Sequence, residues 1–110
     1  MFTALFTPGH YDDCLCYWNI KDKLIFTGDT IFVGRSGRTV STHSNISKLY
    51  NSIYKIILQL PLDTTIYPGH DYGYTPQITI EKNNVLSSFF SCKSEEEFIK
   101  IMKDFEKNRL

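Results

Sequence analysis

At 110 residues the chain is long enough for one compact domain and too short for two. Its 42% hydrophobic and 22% charged residues strike an ordinary globular balance, which excludes a disordered or fibrous chain. Twelve basic residues against twelve acidic ones leave no net charge and no basic run to follow phosphates, so nucleic acid is not an expected partner.

Residues 2–6 read as a strand rather than as the basic start and apolar centre of a signal peptide, and no apolar run approaches the ~18 residues of a membrane span. The expected location is the cytoplasm, with no membrane partner. A strand this early also leads to the expectation that the fold begins upstream of Met1. Pro8-Gly9 stops the strand and sets His10 at its end. Residues 14–20 and 23–27 favour β-structure and join around Lys21-Asp22 as a hairpin, whose second strand delivers Gly28-Asp29. Cys14, Cys16 and Cys92 do not pair evenly and read as thiols in a reducing compartment.

A glycine-punctuated loop follows over 34–39, and Ser41, Thr42 and Ser44 are candidate N-caps for a helix running to about Leu60. Leu49, Ile53, Ile56, Ile57 and Leu60 fall at helical spacing until Pro61 ends the run. His43, among serines and a threonine, reads as solvated. Residues 64–67 form a short strand stopped by Pro68-Gly69, with His70 next. Residues 76–90 read as a short helix and a loop. Ser94 to Glu97 form a capping box, followed by Phe98, Ile101, Met102 and Phe105 as the apolar stripe of a closing helix.

His10, Asp29 and His70 each follow a β-like run and a glycine, and each can bind a divalent metal. Ligands at strand ends on one sheet edge converge in space although distant in sequence. A lone histidine after Pro-Gly, or an aspartate after glycine, is as well explained as a turn residue, and it is the threefold pattern that argues for metal.

Four stretches resemble the later motifs of the metallo-β-lactamase superfamily: Thr7-Pro8-Gly9-His10; Phe26-Thr27-Gly28-Asp29-Thr30-Ile31-Phe32; Gly37-Arg38-Thr39; and Tyr67-Pro68-Gly69-His70-Asp71-Tyr72-Gly73. They look most like the branch holding persulfide dioxygenases and glyoxalase II (hydroxyacylglutathione hydrolase) thioesterases. The resemblance implies an α/β fold, the C-terminal half of an αββα sandwich with a mixed sheet and packed helices, so that residues 1–110 are the C-terminal portion of one domain. It implies one or two divalent metal ions, zinc or iron. His10 would complete the first position, Asp29 would bridge the two and take part in catalysis, and His70 would belong to the second. The family's His-x-His-x-Asp-His motif is absent, since the histidines stand at 10, 43 and 70.

The substrate implied is a small glutathione-type thiol or thioester. Arg38 is a candidate for its carboxylate, because a planar guanidinium suits that group; a surface ion pair is the alternative for Arg38. The closing helix and the 40 residues after His70 resemble the persulfide branch more than the thioesterase branch, which continues into a larger helical domain. Val40 and Ser41, where that branch has Asp-Phe, and Tyr11-Asp12-Asp13 after the first ligand are departures that leave the substrate open. With part of the ligand set missing, the expectation is a chain inactive alone, completed by an N-terminal half. The alternative from another class is a non-catalytic interaction module that forms a homodimer through the uncovered sheet.

Overall fold

In the computed structural model, which describes residues 1–107, three short strands open the fold: β1 (Thr3–Phe6), β2 (Leu15–Asn19) and β3 (Leu24–Gly28). β2 is antiparallel to both β1 and β3, with Leu5 opposite Cys16 and Trp18 opposite Ile25. The β2–β3 hairpin closes where the sequence places it. Asn19 donates to the Asp22 carboxylate and accepts from the Asp22 N–H, and Lys23 takes a φ of 53° to complete the turn. β4 (Thr65–Pro68) then adds parallel to β3 and β5 (Ile78–Thr79) antiparallel to β4, giving one mixed sheet in the order β1-β2-β3-β4-β5. The two-residue β5 is the element that sequence reasoning missed.

β1 and β3 are each antiparallel to β2, and β4 is parallel to β3, so β1, β3 and β4 run the same way. Their carboxyl ends therefore share one edge of the sheet. His10, Asp29 and His70 follow these three strands, so topology alone gathers them.

The parallel β3–β4 pair is bridged by α1 (Ile46–Lys55), which buries Leu49, Ser52 and Ile53 and turns its lysines outward. Its N-cap is Asn45, whose side chain accepts from the Lys48 N–H at 2.9 Å; none of Ser41, Thr42 or Ser44 caps it. The helix also ends earlier than expected, at Lys55, and a 3-10 turn over Ile57–Gln59 carries the chain to Leu60. Residues 76–90 hold β5, α2 (Ile80–Leu86) and a 3-10 turn over Ser88–Phe90. α3 (Glu95–Lys107) closes the fold with Phe98 and Met102 fully buried. At its start Ser94 accepts from the Glu97 N–H, while the Glu97 carboxylate reaches back to the Lys93 N–H.

The core lies on one face of the sheet, where Cys16, Ile25, Ile66 and Ile78 meet Leu49 and Ile53 of α1, Ile57, Ile80 of α2, Phe89, Phe90, and Phe98 and Met102 of α3. The opposite face carries a cross-strand row of Ala4, Tyr17, Phe26 and Tyr67. These residues are exposed, with Phe26 at 44% and Tyr17 at 46%. Phe26 stacks in tilted contact with Phe2 and Tyr67, each at 5.6 Å between ring centres. Strands apolar on both faces belong between two layers, and the described residues supply a layer on only one face.

Candidate metal centre

Each ligand loop is held by the element beneath it. The Pro8 and Gly9 carbonyls accept from the Ser52 hydroxyl and the Asn45 N–H, both at 2.7 Å, and the His10 carbonyl accepts from the Ser44 hydroxyl at 2.6 Å. The start of α1 thus fixes the His10 loop. Gly9 has a φ of 141°, and a Cβ there would lie 2.3 Å from the Leu49 backbone, so no other residue lets the loop sit on the helix. The Asp29 loop folds back through a bridge between Ile31 and Ser36, and the Gly69 N–H donates to the Gly28 carbonyl at 2.7 Å, joining the His70 turn to the Asp29 turn.

Under the loops lies a buried polar cluster that the sequence did not single out. The Thr7 hydroxyl is 3.2 Å from the Cys16 sulfur and 3.4 Å from the Thr30 hydroxyl, and all three side chains are fully buried. Thr7 belongs to the His10 motif and Thr30 to the Asp29 motif, so this contact ties the His10 and Asp29 loops together in a medium where an unpaired hydroxyl would be costly. Burial pushes the Cys16 thiol up to about 11, against the opposing effect of its hydrogen bonds to Thr7 and Thr30.

Asp29 stands between the two histidines. One carboxylate oxygen is 3.9 Å from His10 Nε2 and the other 3.2 Å from His70 Nε2. The other ring nitrogen of His10, Nδ1, lies 2.7 Å from the Arg38 carbonyl. A carbonyl only accepts, so Nδ1 carries the hydrogen of this contact, and Nε2 is the ring nitrogen left facing Asp29. A Cβ on Gly37 would lie 2.0 Å from the Asp29 carbonyl and 2.9 Å from His10 Nδ1, so glycine is what lets this loop close over both residues.

The donor set fits a divalent metal in kind and in spacing. Two imidazoles and a carboxylate suit zinc or iron, and two ligands of a tetrahedral ion, each about 2.1 Å from it, lie about 3.4 Å apart. The distances of 3.2 and 3.9 Å bracket that separation. The fit is that of two ligand pairs sharing Asp29: among the described residues no cluster of three or more His, Cys, Asp and Glu side chains is arranged around one ion.

A cavity of about 120 Å³ opens over these three side chains. Phe32 and Tyr72 wall it, and the Tyr72 ring stacks on His70 at 5.0 Å. Arg35 and Arg38 line it as well. The Arg35 guanidinium lies over Phe32 at 4.8 Å and over Tyr72 at 4.7 Å. Buried Asn83 of α2 holds this wall by accepting from the Gly34 N–H and donating to the Phe32 carbonyl. Arg38 is exposed at the rim, and its carbonyl is what reaches His10. Tyr72 stands two residues beyond His70 in a motif the sequence makes visible; Arg35 and Asn83 are placed only by the fold. His43 is exposed, as expected, yet its ring packs on Tyr11 and its Nδ1 lies 3.1 Å from the Asp12 carboxylate, outside the cavity.

The sequence model of the metallo-beta-lactamase superfamily matches residues 2–70. The human mitochondrial persulfide dioxygenase ETHE1 is 37% identical over 97 residues, a match covering 87% of this chain and 37% of that protein. A hydroxyacylglutathione hydrolase of Francisella tularensis subsp. novicida is 38% identical over 71 residues, covering 64% of this chain and 28% of its own length. Among solved structures, ETHE1 from Myxococcus xanthus superposes with a TM-score of 0.84 at 39% identity, over 94% of this chain and 45% of that one. The chain thus spans less than half the length of each of these proteins.

Proposed function

The chain belongs to the metallo-beta-lactamase superfamily, and on that premise we propose that His10, Asp29 and His70 are ligands of a divalent-metal centre that acts on a small glutathione-type persulfide or thioester. The observation that carries this reading is the setting of Asp29 between two imidazole nitrogens, with His10 locked by the Arg38 carbonyl into the ring form that can ligate. A zinc or iron ion bound there supplies Lewis-acid polarisation and activation of a small ligand such as water. The chain's own residues hold the ligands in register, wall the site with Phe32 and Tyr72, and offer the Arg38 guanidinium at the rim to a substrate carboxylate.

Persulfide chemistry is favoured over hydrolysis because the human persulfide dioxygenase combines 37% identity with a match of 97 residues, against 33% over 99 for a probable polyketide biosynthesis zinc-dependent hydrolase of Bacillus velezensis and 38% over only 71 for the hydroxyacylglutathione hydrolase. A reducing compartment such as the cytoplasm suits the three free thiols.

Two ligands on each side of a shared carboxylate fall short of the three or four protein ligands a zinc site normally has. A cavity of about 120 Å³ is likewise too small to bury a drug-sized ligand, which takes roughly 300 Å³ or more. The remaining ligands and the rest of the substrate wall come, on this reading, from a second layer on the aromatic sheet face, equivalent to the part of the relatives that this chain does not span. The purified 110-residue chain then shows no significant oxygen uptake with glutathione persulfide and no hydrolysis of an acyl-glutathione. Turnover that disappears in Asp29→Ala, in a preparation free of other enzymes, would overturn the incomplete-site reading.

A further inference from the structure

Glu106 lies near the end of α3, 67 residues from Thr39, yet one of its carboxylate oxygens accepts from both the Thr39 N–H at 2.5 Å and the Thr39 hydroxyl at 2.9 Å. The Thr39 N–H belongs to the same peptide group as the Arg38 carbonyl, and that carbonyl accepts the His10 Nδ1 hydrogen at 2.7 Å. Among the described residues there is no cis peptide, so this group is trans, and its N–H and C=O point in opposite directions from one rigid plane. Glu106 and His10 therefore grip a single peptide from its two sides.

We propose that Glu106 is a positioning residue for His10, acting through the Arg38–Thr39 peptide. The inference rests on the reading of His10 as a metal ligand and extends it to the closing helix. Two physical effects run along the chain of bonds. The first is orientation: with both ends of the peptide held, the carbonyl cannot rotate away from the His10 ring, which keeps Nε2 directed at Asp29. The second is polarisation, since an anion bound at the N–H end of a peptide strengthens its carbonyl as an acceptor, and a stronger acceptor at Nδ1 makes Nε2 a better donor to a cation. A carboxylate bonded directly to a metal-binding histidine does the same; here a peptide group stands between them. Ser36, whose hydroxyl lies 3.1 Å from the Met102 sulfur, secures the same loop to the same helix one turn earlier.

The rival account is that Glu106 only anchors α3, and three variants of the 110-residue chain separate the two. In ¹⁵N-labelled, metal-free protein, long-range ¹H–¹⁵N spectra of the imidazoles report which His10 nitrogen carries the hydrogen, and a zinc titration reports affinity. The wild type shows the Nδ1–H form. In Glu106→Ala the Nε2–H form grows and zinc affinity falls roughly tenfold. Glu106→Gln, which keeps a carbonyl acceptor, restores the Nδ1–H form and part of the affinity. Ile101→Ala, which removes a core contact of the same helix one turn earlier, lowers Tm and leaves the His10 nitrogens unchanged. The proposal fails if Glu106→Ala leaves the His10 spectrum as in the wild type, or if Ile101→Ala shifts it as far. A His10 spectrum that answers to Glu106 in a chain that binds no zinc would retire the metal reading and leave the link between Glu106 and His10 standing.

Discussion

Asp29 and Cys16 show how much a single position depends on what lies under it. Asp29 holds its place because Gly37 and Gly69 leave room against its carbonyl and carboxylate, and because Thr30, its neighbour, reaches the fully buried Thr7. Cys16 completes that cluster as a neutral thiol. Burial raises it from 9.0 to about 11, so the folded chain keeps this proton after the unfolded chain has lost it. The unfolded state then binds fewer protons above pH 9, and stability falls as pH rises. The Cys16 contribution is complete below pH 9 and gone above about 11. Urea midpoints taken across this window should fall more steeply for the wild type than for Cys16→Ala. Equal slopes would mean that the thiol is not held neutral by burial.

Among the elements, α1 links the fold most directly to the site, since Asn45 caps the helix with its side chain and holds the Gly9 carbonyl with its backbone N–H. Asn45→Ala removes the first role and keeps the second. Chemical denaturation should show a loss of about 1 kcal/mol, with the fold unchanged by circular dichroism; no loss would mean that another group caps the helix. The sequence made much of this architecture legible. The β2–β3 hairpin, the apolar stripe of α3 and the placing of His10, Asp29 and His70 after β1, β3 and β4 all follow from local pattern and turn chemistry. The choice of Asn45 over Ser41, Thr42 or Ser44 did not, because all four suit an N-cap and the Gly9 carbonyl, 36 residues earlier, decides between them. β5 is two residues long and exists only through pairing with β4, so it has no periodicity to read. The contacts of Arg35, Asn83 and Glu106 with the site are set by packing across long sequence separations, which no local pattern encodes.

At the scale of the molecule, the described residues cover one face of the sheet and leave the other exposed, and the candidate site sits at the sheet edge formed by the ends of β1, β3 and β4. Phe26 at 44% and Tyr17 at 46% exposed are part of a contiguous aromatic surface of the kind that seeks a partner. Alone, the chain should associate with itself as concentration rises in sedimentation velocity, and Phe26→Glu should shift it toward monomer with its helix content intact. A wild-type monomer at all concentrations would show that this face tolerates water. On the proposed reading, one second layer would supply both the remaining ligands and a cover for this face.

The central claim is that this chain carries a shared-carboxylate pair of half-sites, and a zinc titration of the purified wild type beside Asp29→Ala tests it most directly. Weak binding in the wild type, reduced at least roughly tenfold in a folded Asp29→Ala chain, is the predicted result. Equal affinity in the two proteins would contradict it, because zinc would then be held by groups other than the pair of histidines that Asp29 joins.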